Sequence, residues 1–145
     1  TFEASAFLRR RGADPIAVKK LFADSIEHHK IKNSIVSTAQ QHKIYAIAVN
    51  DNNNLSDEES RIVSSQAADE LLNISGVKAS FVLSRVGDAI NISARSYGEV
   101  NVQLIMERLG GGGHRTMSAC QIEERNFAVA KQLLLEAISK NEEEN

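Results

Sequence analysis

The sequence lacks the features of a disulfide-stabilised, membrane-spanning or strongly charged protein. A single cysteine, Cys120, excludes a disulfide within the chain and favours a reducing, cytoplasmic setting. Seventeen Lys and Arg residues oppose 19 Asp and Glu residues, and this near balance argues against disorder and against a strongly basic nucleic-acid-binding surface. No apolar run approaches the roughly 20 residues of a membrane span. No secretory signal peptide, with a charged segment followed by an apolar one, can be recognised. We expect the chain to be part of a longer protein.

No arrangement of catalytic or metal-binding residues can be recognised either. No pair of carboxylates, no Ser-His-Asp set and no spacing typical of metal ligands stands out. The pair His28-His29 lies in a predicted polar helix, where adjacent residues point in different directions and cannot share one metal as residues four apart do. We interpret this pair as part of a solvated helix face. We therefore predict no catalytic residue and no metal site in this chain.

The most informative feature is a run of four glycines followed by a histidine, from Gly110 to His114, which holds half of the eight glycines. Glycine loses more backbone freedom on folding than any other residue. A folded domain keeps such a run where the backbone approaches a ligand or adopts conformations that a Cβ forbids. Successive N–H groups can form a concave anion site, typically for phosphate. A flexible linker is the alternative, but linkers usually mix glycine with serine.

The run fits neither of the two common nucleotide-binding loops. A Walker A loop ends in Gly-Lys-Ser/Thr, and a Rossmann fingerprint follows a strand and opens a helix. Here the glycines lie between a predicted helix and a predicted strand. We therefore predict a different kind of anion-binding or ligand-binding loop.

The pattern of apolar and turn residues predicts an α/β fold, a mixed β-sheet with flanking helices. A helical segment over residues 1–23 and a long polar linker helix over residues 24–43 precede it. We then predict strands at 44–49, 79–85, 89–95 and 117–123, and helices at 56–74, 99–109 and 126–140. The second and third strands form a hairpin through Val86-Gly87-Asp88.

A second group of residues points to the same chemistry. Arg95 and Ser96 end a predicted strand, and Asn101 lies in the first turn of the next helix. An arginine placed near a helix N-terminus can bind phosphate oxygens, although a surface ion pair explains Arg95 alone equally well. A helix over residues 99–109 would span about 15 Å. One ligand could contact both regions only if it is extended or if the glycine loop folds back.

These motifs resemble a known family. Ser93-Ala94-Arg95-Ser96, Asn101-Val102-Gln103 and Gly110 to His114 are similar to the DHH-associated domain of the DHH phosphoesterase superfamily. Thr1 to Ala4 and Gly12 to Asp14 resemble the end of the DHH domain in membrane-bound cyclic-di-AMP phosphodiesterases of the GdpP type. The resemblance covers essentially the whole chain.

The resemblance implies a division of labour between two domains. Residues 1–23 correspond to the C-terminal end of the DHH domain, residues 24–43 to a connector helix, and residues 44–145 to the DHH-associated substrate-binding domain. The upstream DHH domain would hold two manganese ions that activate water and stabilise the reacting oxygens. Its motifs are missing here, so we expect this chain to bind substrate without hydrolysing it. The residues on the substrate-binding side are, by position, Arg95, Ser96, Asn101, Gly111, Gly112, Gly113 and His114.

Three functions remain open. The first is the substrate-binding part of a two-manganese phosphodiesterase that hydrolyses cyclic-di-AMP to pApA, in a cytoplasmic domain of a membrane-anchored bacterial protein. The second is the same domain in an oligoribonuclease, an exonuclease that releases 5′-mononucleotides, and the third is a non-catalytic nucleic-acid-binding module. Slight acidity argues against the third, because tracking a long polyanion requires a basic stripe. The expected partners are cyclic-di-AMP or pApA and the DHH domain, with a homodimer left open.

Overall fold

A computed structural model describes residues 25–144. Its elements are, in chain order, α1 (Ile26–Ser37), β1 (Gln40–His42), β2 (Tyr45–Asn50), α2 (Asp57–Leu71), β3 (Ala79–Val86), β4 (Ala89–Ser96), α3 (Val102–Arg108), β5 (Gly112–Gly113), β6 (Met117–Ile122) and α4 (Phe127–Glu143). The helical segment predicted for residues 1–23 lies outside the described residues.

The strands form one mixed sheet in the order β1-β2-β3-β4-β6-β5. β2 and β3 are parallel and are joined through α2, as in a βαβ unit,. The remaining neighbours pair antiparallel, and β3 and β4 form the predicted hairpin. The α/β fold with a mixed sheet and flanking helices is confirmed.

Two apolar cores lie on opposite sides of the sheet, because alternate residues of each strand point to opposite faces. On one side, α3 and α4 pack against residues such as Phe81 and Ile92, together with Cys120. On the other side, α1 and α2 pack against residues such as Ala48 and Val82. Cys120 is buried in the first of these cores, with 4% of its surface exposed.

The linker helix predicted over residues 24–43 is too long, because α1 ends at Ser37 and residues 40–42 form β1. Thr38 explains the early end. Its Oγ1 donates to the carbonyl of Ile35 at 2.7 Å and accepts from the N–H of Val49 at 2.9 Å. The helix end is therefore tied to β2, and the chain turns back as an edge strand.

His28 does not lie on a solvated helix face, contrary to the sequence-based interpretation. It is 8% exposed, and its ring nitrogen Nε2 contacts the side-chain oxygen of Gln66 in α2. The reason is tertiary, since α1 packs across α2 and buries the side of the helix that carries His28. Among the helices of residues 25–144, none is both long and apolar enough to cross a membrane.

Candidate functional site

The glycine run begins as a helix stop. Gly110 has a φ of +86°, a conformation that favours glycine. Its N–H donates to the carbonyl of Glu107 at 3.1 Å, and the N–H of Gly111 donates to that of Met106 at 2.8 Å. These two bonds form a Schellman motif. The helix predicted over residues 99–109 ends as expected just before Gly110, but α3 begins at Val102 rather than near residue 99.

Gly111 and Gly113 are required by close packing against β6. A Cβ on Gly111 would lie 2.1 Å from the carbonyl oxygen of Ala119, and one on Gly113 would lie 2.6 Å from Cα of Ser118. Both distances are far below normal contact. The fold itself therefore excludes side chains at these two positions.

Gly112 is different. A Cβ on this residue would meet no atom within 4 Å, and its φ lies outside the region that favours glycine. Neither packing nor backbone conformation among the described residues explains the absence of a side chain at Gly112. Close approach of a ligand would explain it.

The register of the strands shows which way Gly112 faces. In β6, Met117, Ala119 and Gln121 are exposed and alternate with residues that face the core. Gly112 pairs with Ala119, and paired residues of antiparallel strands lie on the same face. We call the surface formed by Gly112, Met117, Ala119 and Gln121 the open face, and its opposite side, which packs against α3 and α4, the closed face.

Arg95 borders the open face. It pairs with Met117 across β4 and β6, and the N–H of His114 donates to the carbonyl of Met117 at 2.7 Å. Neighbouring strands lie about 4.8 Å apart, so the end of the glycine run lies about two strand spacings from Arg95. The glycine loop folds back onto β6 as β5. Arg95 and the glycine run are therefore closer together than the length of the predicted helix between them implied.

The Arg95 guanidinium is held in place on one side. Its side chain is 10% exposed, and Nε lies 3.1 Å from Oδ1 of Asp69 in α2. Nη1 donates to the carbonyl of Ala94 at 2.9 Å. Nη2 makes no hydrogen bond to any residue of the described segment. The arginine is thus oriented by two contacts and keeps donor capacity for an acceptor from outside.

The structure uses Ser96 and Asn101 to shape the loop between β4 and α3. The Ser96 hydroxyl donates to the carbonyl of Val100 at 2.7 Å and accepts from the N–H of Gly98 at 3.2 Å. Asn101 is the N-cap of α3, and its Oδ1 accepts from the N–H of Gln103 at 3.1 Å. Their direct contact with a ligand stays a prediction.

His114 starts a tight turn into β6. The N–H of Met117 returns a bond of 3.3 Å to the His114 carbonyl, and residues 113–117 are all exposed. Arg115, in the same turn, donates from Nε to the carbonyl of Gly98 at 2.7 Å. This bond links the turn to the loop that follows β4. The imidazole of His114 and the guanidinium of Arg115 thus lie at the same end of the sheet as Arg95.

A comparison with known families identifies the domain. The DHHA1 domain model matches residues 43–140, which include β2 to β6 and every sequence-predicted site residue. The chain belongs to the DHHA1 domain family.

Two curated relatives of this DHHA1 domain are named as cyclic-di-AMP phosphodiesterases. The chain is 46% identical over 141 residues to the cyclic-di-AMP phosphodiesterase GdpP of Geobacillus thermodenitrificans. It is 39% identical over 140 residues to the cyclic-di-AMP phosphodiesterase PdeA of Listeria monocytogenes. Each alignment covers 95% of this chain and 21% of the relative. The DHHA1 chain therefore spans about a fifth of these relatives, and the resemblance to the GdpP type is confirmed.

A solved structure supports the fold. An exopolyphosphatase-related protein from Bacteroides fragilis superimposes with a TM-score of 0.68, at 21% sequence identity, over 92% of this chain and 41% of its own. At this level of identity the likeness shows the fold alone.

Sequence reasoning missed two exposed residues beside Arg95 in the DHHA1 domain. Tyr97 is 67% exposed and Met117 is 51% exposed. The predicted elements place Tyr97 between a strand and a helix and Met117 at the start of a strand, and they give neither residue a role. The signal that could have found Tyr97 is its position two residues after Arg95, which places both side chains on one face of an extended chain.

A cavity lies at the other end of the sheet. Its volume is about 720 Å³, and it is lined by Arg61 and Arg125 together with acidic residues that include Asp57 and Glu123. Arg125 is already paired with Asp88 at 2.8 Å, and the acidic lining disfavours a phosphate. This cavity is therefore a poor candidate for an anion site, and anion binding at Arg95 and the glycine run stays a prediction.

Proposed function

We propose that this DHHA1 domain binds cyclic-di-AMP as the substrate-binding part of a phosphodiesterase that hydrolyses it to pApA. Its homology to the corresponding region of cyclic-di-AMP phosphodiesterases supports the substrate class. The chain covers only a fifth of those relatives, so the reaction is assigned to the longer protein of which this domain is a part.

The observation that carries the proposal is the open side of Gly112 beside the oriented guanidinium of Arg95. At Gly111 and Gly113 the fold itself excludes a side chain, whereas at Gly112 only an approaching ligand would. Arg95 supplies a fixed cation with unused donor capacity, and bonds from arginine to phosphate are among the stronger hydrogen bonds in proteins. A compact dinucleotide needs one or two such cations.

The remaining predicted residues take supporting roles. β5 is an edge strand, so part of its backbone remains available to an anion. His114 contributes an exposed ring that can donate to a phosphate or a base. Ser96 and Asn101 hold the loop that joins Arg95 to α3 through the bonds described above. Gly111 and Gly113 let the glycine strand pack onto β6, which sets the position of Gly112.

We assign the chemical step to an upstream DHH domain. Within residues 25–144 no group of three His, Cys, Asp or Glu side chains could hold a metal ion, so this part of the chain does not fit a two-metal centre. The two manganese ions and the activated water therefore belong to the DHH domain in our proposal. The full protein would be membrane-anchored and bacterial, with both domains in the cytoplasm, and a homodimer is compatible with this arrangement.

Calorimetry on the 145-residue chain tests the substrate class. Cyclic-di-AMP, pApA and a 20-nucleotide poly(A) strand would be titrated at one ionic strength, because binding to long strands depends strongly on salt. We expect binding of the two dinucleotides and weaker binding of the long strand per site. Preference for the long strand would instead support a nucleic-acid-binding module. Preference for pApA with no binding of cyclic-di-AMP would support the exonuclease.

Gly112→Val tests the site. Because space is open around Gly112 and a β-branched residue suits a strand, the variant should fold with unchanged stability. The valine methyl groups would occupy the space assigned to the ligand, and we expect the affinity for cyclic-di-AMP to fall by at least about 10-fold. Gly112→Ala is the matched control and should lose less. Unchanged affinity in the valine variant would show that the ligand does not bind at the open face.

A further inference from the structure

Tyr97 is an exposed aromatic ring next to the proposed phosphate site. The chain contains no tryptophan and two tyrosines, of which Tyr45 is 4% exposed and Tyr97 is 67% exposed. Exposing a large aromatic side chain forgoes the favourable burial of its apolar surface. A ring kept in this position is therefore available to a flat apolar partner.

The ring is also held at its tip. The Tyr97 hydroxyl lies 3.3 Å from the carbonyl oxygen of Leu72 and 3.4 Å from Oδ1 of Asn73, at the C-terminal end of α2. The single hydroxyl proton can be donated to either acceptor. The tether leaves the faces of the ring exposed while it limits their orientation, so little side-chain entropy would be lost when a ligand stacks on them.

Tyr97 and Arg95 lie along the same border of the open face. Arg95 contacts Asp69 in α2, and Tyr97 contacts Leu72 one turn further along that region. Two residues of chain span at most about 7 Å, so a ligand that touches the guanidinium can also reach the ring. On the other side of Arg95, the exposed Met117 side chain belongs to the paired position in β6.

We propose that Tyr97 is the base-stacking residue of this site, taking an adenine ring whose phosphate is bound by Arg95, with Met117 as a second apolar contact. This inference rests on the proposed function. Aromatic stacking holds a nucleobase through its flat face, and a thioether is a favourable neighbour for an aromatic ring. The guanidinium then binds the anionic part of the nucleotide and the tyrosine its apolar part.

Affinity measurements with and without a base test the stacking. In the 145-residue chain, Tyr97→Ala should weaken binding of pApA by about 5- to 30-fold and leave binding of ribose 5-phosphate unchanged, because that ligand has no base. Tyr97→Phe should stay within about 3-fold of the original chain, since the ring remains. Leu104→Ala, at another exposed apolar residue, is the matched control and should change neither affinity.

Tyrosine fluorescence gives a second measurement, which would not change on ligand binding if Tyr97 had a purely structural role. A stacked adenine should quench the emission of Tyr97, whereas the buried Tyr45 provides a constant background. pApA should therefore lower the emission of the original chain and ribose 5-phosphate should not. The Tyr97→Phe variant, titrated identically, corrects for light absorbed by the adenine and should show no quenching.

The outcomes separate the two proposals. If the original chain binds neither cyclic-di-AMP nor pApA, the proposed function is wrong and the stacking role is wrong with it. If pApA binds, but Tyr97→Ala binds it equally well and the emission is not quenched, the stacking role alone is wrong. Loss of ribose 5-phosphate binding in Tyr97→Ala would also overturn it, by showing that Tyr97 acts through Arg95 rather than on the base.

Discussion

The two faces of the sheet around β6 differ in what explains their residues. On the closed face, Cys120 is buried in the apolar core, and Gly111 leaves no room for even one methyl group. On the open face, Ala119 is exposed next to Gly112, which has empty space around it. Packing determines the residue types of the closed face and leaves those of the open face undetermined. A functional site is therefore expected on the open face, where packing gives no reason for a glycine.

Gly111→Ala should have the largest effect, because it breaks the closed face. The added Cβ would lie 2.1 Å from the carbonyl oxygen of Ala119, and β5 would have to separate from β6. We expect the free energy of unfolding to fall by about 3 kcal/mol or more. Urea denaturation followed by circular dichroism measures this change.

Gly112→Ala is the matched variant, one residue away and on the other face. It should stay within about 1 kcal/mol of the original chain, because the new Cβ meets nothing and the loss of glycine reduces the entropy of the unfolded state. Equal destabilisation of the two variants would show that the faces do not differ in packing and would remove the reason for placing a ligand at Gly112.

Arg95→Ala should have the next largest effect, which is a loss of affinity for the ligand. Removing a charge-assisted hydrogen bond to phosphate should weaken binding of cyclic-di-AMP by about 10- to 100-fold. Arg95→Lys should recover only part of the affinity, because an ammonium cannot bond both Asp69 and a phosphate in the geometry of a guanidinium. Isothermal calorimetry measures both variants.

Arg108→Ala provides the control for Arg95. Like Arg95, Arg108 is paired with a carboxylate, that of Glu144, and its side chain is 26% exposed, but it lies on α3 away from the open face. Its removal should leave the affinity for cyclic-di-AMP unchanged. A similar loss in both variants would mean that binding responds to net charge and not to the position of Arg95.

Much of the fold could be predicted from the sequence because its signals are local. The hairpin of β3 and β4 follows from two apolar runs around Gly87, and the start of α2 follows from Ser56, whose hydroxyl accepts from the N–H of Glu59 at 3.1 Å. The end of α1 could not be predicted, since it depends on the contact of Thr38 with Val49, a residue from another element.

The residue types of the candidate site could be selected from the sequence, but their arrangement in space could not. The glycine run and Arg95 stand out as residue types, but β5 contains two residues, too few to show any strand periodicity. Its return to β6 follows from tertiary packing alone. Ser and Asn serve as ligands and as caps with the same oxygen atoms, so the sequence could not show that Ser96 and Asn101 make internal bonds.

The smallest predicted effects concern Cys120 and Ala119, which are adjacent in β6 and lie on opposite faces. Burial raises the pKa of the Cys120 thiol to about 12 from its usual 9.0, with a weaker opposing effect of a backbone hydrogen bond at Ile92. Native Cys120 should therefore resist alkylation at pH 8 and react once urea unfolds the chain. In a Cys120→Ala background, Ala119→Cys should react without urea, because position 119 faces solvent.

The same pKa shift predicts how stability depends on pH. Folding favours the protonated thiol, so this contribution is complete below pH 9 and declines as the pH rises towards 12,. At pH 10 we expect a loss of about 1 kcal/mol relative to pH 8, which Cys120→Ala should abolish. Burial also raises the pKa of Tyr45, so the difference between the original chain and this variant isolates the thiol. Equal pH dependence in both chains would show that the closed face admits water at Cys120, and the contrast between the faces would then be one of degree.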